Sequence, residues 1–172
     1  RLVSPDIDAK DRLERLIGMD DQIARLTKML GFLVNPHGLK SWAERFHPRS
    51  QRLVDFLVRR PPLVILAGDV GCGKTELAET IGDAVARQEG IDVTLYPVSL
   101  AARGEGRVGE MTQLLSLAFD AAADAAEKLK SPAGKARGAV ILLVDEADAI
   151  AQSREESQMH HEDRAGVNAF IR

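Results

Sequence analysis

The sequence predicts an α/β fold, with helices packed around a mostly parallel sheet, and three observations predict it. Two continuous apolar runs, "LVILA" at 63–67 and "AVILLV" at 139–144, have the look of strands buried on both faces. They alternate with amphipathic helical stretches, the pattern of strand–helix–strand units. Each run also ends in polar chemistry, the first in a glycine-rich loop and the second in Asp145-Glu146. Ligands of such sheets bind beyond the carboxyl ends of the strands.

Taken in order, residues 6–34 read as helical, with Leu13, Leu16, Ile17, Ile23, Leu26, Leu30 and Leu33 near helical spacing and Gly18 bending the chain. "NPHG", 35–38, reads as a turn. Residues 39–60 read as two short amphipathic helices broken at Pro48, their basic residues forming a solvated face, and Pro61-Pro62 end the second. The run 63–67 is the first core strand. A helix over 74–90 follows, with Leu77, Ile81, Ala84 and Val85 on one face. "IDVTLYPVS", 91–99, is the second strand, and 110–130 a long helix that turns Met111, Leu114, Leu115, Ala118 and Ala122 inward. A polar loop, 131–138, leads to the third strand, 139–144. A polar tail spans 153–163, and a further helix starts at 164–172. The chain thus divides into an N-terminal helical segment, 1–60, and an α/β core, 61–172.

A chain of 172 residues is long enough for one domain with a proper core. Its formal charge is −3, so no global positive field draws it to nucleic acid. Cys72 is the one cysteine, which rules out an intrachain disulfide and fits a reducing cytoplasm. The apolar runs are far shorter than a membrane span.

Gly68-Asp69-Val70-Gly71-Cys72-Gly73-Lys74-Thr75 fits G-x-x-x-x-G-K-[ST] at every fixed position, between an apolar run and an amphipathic helix. That is a phosphate-binding loop, or P-loop. Its glycines allow torsions that turn successive N–H groups inward, and the helix N-terminus adds its positive end. Asp69, Val70, Gly71, Cys72, Gly73, Lys74, Thr75 and Glu76 are therefore the candidate ATP contacts. Lys74 would neutralise the β- and γ-phosphates, and Thr75 would ligate Mg²⁺. Within the loop, Cys72 reads as a small residue whose backbone N–H does the binding.

In "VILLVDE", 140–146, Asp145 stands at a strand end, where a P-loop enzyme needs a carboxylate for the metal. Glu146 is placed to polarise the attacking water as general base. Lys74 and Glu146 are the candidate catalytic residues, and Thr75 and Asp145 the candidate metal ligands. "DEAD", 145–148, also spells a helicase box, but no other helicase motif lies between the P-loop and this strand, and Asp148 reads as a cap or interface residue. A second glycine pattern, Gly104-Glu105-Gly106-Arg107-Val108-Gly109, matches G-x-G-x-x-G. It begins several residues after its strand, no acidic residue at a strand end follows at the right distance, and the phosphate role is already taken.

"IGMDDQIARL" at 17–26, the P-loop, the "RVGE" loop before a helix and "VILLVDEADAI" occur in the order seen in the AAA+ ATPases, and residues 13–172 resemble that family. The resemblance implies a P-loop NTPase sheet of AAA+ type in the order 5-1-4-3-2, of which strands one to three are visible. Strands four and five, a sensor residue, a trans-acting arginine and a helical lid would follow Arg172. We therefore expect one part of a longer protein, binding ATP poorly alone. Ile17 and Gly18 match the backbone that receives adenine. Arg107, Val108 and Gly109 occupy the place of a pore loop that grips substrate, although Arg107 stands where an aromatic is usual. "SREESQMHHED", 153–163, takes the place of a second pore loop, and His160-His161 read as solvated there. The finer resemblance of "GDVGCGKT" with "RVGEMTQLL" is to bacterial relatives of the pachytene-checkpoint remodellers, which act on HORMA-domain proteins and accompany anti-phage nucleotide signalling. It implies an ATP- and Mg²⁺-dependent ring, a hexamer, that remodels a protein partner in the cytoplasm. The alternatives are a nucleic-acid loader or initiator of the same family, a small-molecule kinase and a nucleotide-gated scaffold. The acidic balance counts against the first. Asp145-Glu146 at a strand end counts against the second, and the intact Lys74, Thr75, Asp145 and Glu146 against the third.

Overall fold

The computed structural model describes residues 1–59, 63–99, 110–130 and 136–147. Arg107, Val108, Gly109, Asp148, the 153–163 tail and the helix expected at 164–172 lie outside them.

The chain opens with a short strand, β1 (Leu2–Ser4), which sequence reading missed. Asp6 then caps helix α1 (Ile7–Glu14), its carboxylate accepting the Ala9 N–H at 3.0 Å. The single bent helix expected over 6–34 is two helices. α1 stops at Glu14, α2 runs Asp20–Val34, and Gly18 sits between them with φ +79°, a torsion that glycine adopts without strain. Residues 35–38 are a helix start rather than a turn. Asn35 accepts the Gly38 N–H at 3.0 Å, and Pro36 opens α3 (Pro36–Phe46), a pairing of cap and first-turn proline that "NP" encodes. A 3₁₀ turn at Pro48–Ser50 separates α3 from α4 (Gln51–Arg59), the break expected at Pro48.

The core elements are α5 (Lys74–Glu89), β2 (Asp92–Ser99), α6 (Glu110–Glu127) and β3 (Gly138–Asp145). β2 and β3 pair in parallel from Asp92↔Gly138 to Ser99↔Asp145, the adjacency expected of the second and third core strands. β1 adds antiparallel to the other side of β2, with Val3 opposite Thr94, so the sheet is mixed, in the order β1-β2-β3.

The segment 63–67 corrects one expectation. It joins no ladder among the described residues. It alternates as a strand does: Val64 and Leu66 pack on the core, while Leu63 and Ile65 are exposed. Without a neighbour to share its N–H and C=O groups, an extended segment forms no sheet. β3 has the same cause for its partial burial. Read as a strand buried on both faces, it lies at an edge of the described sheet, and 139–145 are only half-buried.

α5 organises the interior. On one side, Leu77 and Ile81 meet Leu13 and Leu26, with Leu16, Met19, Ile23, Val64 and Leu66 around them. On the other, Val85 and Ala86 meet Ile91 and Val93, with Ala139 and Ile141 of β3. α6 runs against β2 and β3, burying Leu115 and Ala122. Asp83, 1% exposed, is fully satisfied. It accepts the Asp6 N–H at 2.8 Å and Arg87 Nε at 2.7 Å, which ties the chain start to α5. Among the described residues no helix is long and apolar enough to cross a membrane.

Candidate nucleotide site

The loop 68–73 carries the chain from the extended segment into α5. Gly71 and Gly73 have φ of +79° and +87°, where a Cβ would be strained. Gly73 is the N-cap of α5 and offers no side chain to cap it. The first N–H groups of that helix therefore face the loop without an intrahelical acceptor, an arrangement suited to an anion.

Lys74 reaches back across the loop. Its Nζ donates to the Gly68 carbonyl at 2.9 Å and the Asp69 carbonyl at 2.6 Å, and lies 3.7 Å from Cys72 Sγ. The ammonium is thus held against the carbonyls of the loop itself. Asp69, Val70, Gly71 and Cys72 are exposed.

The strand and the loop meet at Thr75. Its hydroxyl donates towards the Asp145 carboxylate, at 3.3 Å from Oδ2 and 3.4 Å from Oδ1. Both distances are long for a hydroxyl–carboxylate hydrogen bond. Two hard oxygen ligands so spaced fit Mg²⁺, which takes one or two protein oxygens and completes its shell with phosphate and water. Glu146 follows with φ +57°, an uncommon torsion for a residue with a side chain, and its N–H donates to Asp145 Oδ1 at 2.9 Å. That bond fixes the Asp145 carboxylate, and Glu146 is exposed beside it.

Glu76 follows Thr75 on the first turn of α5. Its carboxylate is turned away, held by Arg12 Nε at 2.7 Å and Nη2 at 2.9 Å. Arg12 Nη2 also reaches Glu79 at 2.6 Å. These hydrogen bonds hold the Glu76 carboxyl below the usual carboxylate range and raise the Arg12 guanidinium further above its own. Nothing in the sequence points to Arg12, because its partners lie more than sixty residues away, at separations of 64 and 67.

Ile17 and Gly18 lie in the break between α1 and α2. A Cβ on Gly73 would come within 3.1 Å of Leu16 Cδ2 and 3.4 Å of Met19 Sδ, so this break rests on the last glycine of the loop. Ile17 is 95% exposed. The structure thus brings Thr75 to Asp145, with Glu146 following the latter and Lys74 folded over the loop, and it sets Leu16 and Met19, which flank the Ile17–Gly18 turn, near Gly73. The expected substrate loop, Arg107 to Gly109, is not among the residues described.

Residues 64–172 match the model of the ATPase family associated with various cellular activities (AAA). The chain belongs to the AAA ATPase family. It is 68% identical over its whole length to CD-NTase-associated protein 6 of Escherichia coli strain MS 115-1, covering 55% of that protein. It is 36% identical over 168 residues to the protein of the same name from E. coli strain KTE188, 97% of this chain and 54% of that one. Among solved structures, it resembles a chain in the E. coli MS115-1 HORMA:CdnC:Trip13 complex with a TM-score of 0.87 at 65% identity, over 99% of this chain and 55% of that one. It also resembles Rhizobiales Trip13, with a TM-score of 0.70 at 50% identity, over 98% of this chain and 56% of that one. This AAA ATPase chain thus spans about half the length of the relatives it matches.

Proposed function

We propose that the chain is the nucleotide-binding part of an ATP-hydrolysing ring, a hexamer, that remodels a protein partner. The convergence of Lys74, Thr75 and Asp145 on one loop carries this reading. Mg²⁺, when bound with ATP, supplies charge neutralisation at the transferring phosphoryl group. The amides of the loop and of the first turn of α5 bind the phosphates. Lys74 exchanges the Gly68 and Asp69 carbonyls for phosphate oxygens, a small swing for a side chain already over the loop. Thr75 and Asp145 would hold the metal, and the Glu146 N–H fixes the aspartate. The Glu146 carboxylate takes a proton from water as its oxygen bonds to the γ-phosphorus and the bond to the leaving ADP oxygen breaks.

The substrate reading is a HORMA-domain protein in cytoplasmic anti-phage signalling. It is supported by similarity to a chain solved in a HORMA:CdnC:Trip13 complex. Arg107, Val108 and Gly109 are proposed as the gripping loop, and Ile17 and Gly18 as the adenine contact. The test is a pull-down from the native host with full-length Glu146→Gln protein in ATP. A HORMA-domain protein retained only with ATP is the expected result. Retention of DNA instead, or of the same proteins with and without ATP, contradicts it.

A further inference from the structure

Arg12 stands on the last turn of α1, just before the break that carries Ile17 and Gly18. Its fork grips two carboxylates on α5, Glu76 and Glu79, at 2.6 to 2.9 Å. Glu76 is the neighbour of Thr75, in the helix turn that receives phosphate in the reading above. Beneath the fork the contact is apolar, with Leu13 and Leu16 against Leu77 and Ile81. Apolar packing is non-directional, so it fixes the orientation of one helix on another less specifically than directed hydrogen bonds do. A planar guanidinium on two carboxylates allows neither, since each N–H has one acceptor in one direction. The break beyond α1 in turn presses Leu16 and Met19 against Gly73, so any slip of α1 on α5 moves the Ile17–Gly18 turn relative to the loop.

We propose that Arg12 is a positioning residue for the nucleotide. By clamping α1 to the first turns of α5, it sets the spacing between the base-side turn at Ile17–Gly18 and the phosphate loop. One ligand then meets both surfaces without rearrangement. The proposal rests on the ATP-binding reading and adds to it a residue that touches no part of the ligand. Loss of the clamp should therefore penalise a ligand that spans both surfaces and spare one that uses the loop alone.

The test compares ATP with inorganic tripolyphosphate, which has no base, by calorimetry on the full-length protein. Arg12→Gln is expected to weaken ATP about tenfold and to leave tripolyphosphate within about twofold, with Arg12→Lys recovering only part, because an ammonium cannot reproduce the fork. Glu79→Gln removes a single contact and leaves the Glu76 pair. It is expected to weaken ATP by about fourfold and to leave tripolyphosphate within about twofold. If either variant stays folded and loses both ligands equally, or loses neither, Arg12 has no positioning role. Wild-type protein that fails to bind ATP would overturn the function itself, whereas ATP binding that ignores Arg12 would overturn this proposal only.

Discussion

Thr75 and Asp145 face each other across the head of α5, the hydroxyl 3.3 Å from the nearer carboxylate oxygen. They lie seventy residues apart in sequence, on α5 and β3, and the packing of these two elements against each other brings them together. If this gap is the metal site, each side should be separately required. Thr75→Ala and Asp145→Asn should each lower Mg²⁺-dependent ATP turnover by about a hundredfold or more, since each removes an oxygen that orients the ion. Steady-state phosphate release in the full-length protein measures this, and near-normal turnover by Asp145→Asn would place the metal elsewhere.

Lys74 and Glu146 should fail in different ways. Lys74→Ala removes the cation over the loop and should abolish measurable binding of a fluorescent ATP analogue. Glu146→Gln keeps the shape and the backbone N–H to Asp145, so binding should persist within about threefold while turnover falls by at least about a hundredfold. Normal turnover by Glu146→Gln would remove it as the base.

Gly73 meets two demands at once, a φ of +87° and contact with Leu16 and Met19. Gly73→Ala should destabilise the fold by about 1–2 kcal/mol from the torsion alone. It should also weaken ATP binding, because the added methyl displaces the 15–19 turn. Chemical denaturation together with calorimetry checks both effects.

The Arg12–Glu76 pair predicts a pH dependence of defined sign. The Glu76 carboxyl is held below its ordinary value of 4.5, so its contribution to stability is complete above that value and is lost as pH falls through the lower folded value. Arg12 stays charged throughout. The difference in Tm between wild type and Glu76→Gln should therefore be constant from neutral pH to about 5 and shrink below about 4.5. Because the Glu76 side chain is 39% exposed, the difference should be small and should fall further in high salt. A gap that widens towards acid would contradict the assignment.

The sequence showed most where pattern and chemistry are local. The loop 68–75, α5, β2, α6 and the Asp145-Glu146 strand end follow from residue spacing, and the structure forms each of the predicted helices and strands among these. What escaped depends on partners distant in sequence. β1 is only three residues long and exists because Leu2 meets Leu95. The segment 63–67 has a strand's composition, yet composition does not supply the neighbour that makes a sheet. Arg12 carried no signal in the sequence, and Glu76 stood only as one of the candidate ATP contacts, because their pairing joins residues 64 apart. At Gly18 the glycine was legible, but a bend and a full break between helices differ only in torsions that the tertiary packing sets.

The most direct test is a crystal structure of full-length Glu146→Gln with Mg²⁺ and ATP. The β- and γ-phosphates are expected on the amides of 71–75 and the Lys74 ammonium, with the metal between Thr75 and Asp145. A triphosphate seated away from that loop, or a metal reached by neither residue, would contradict that placement.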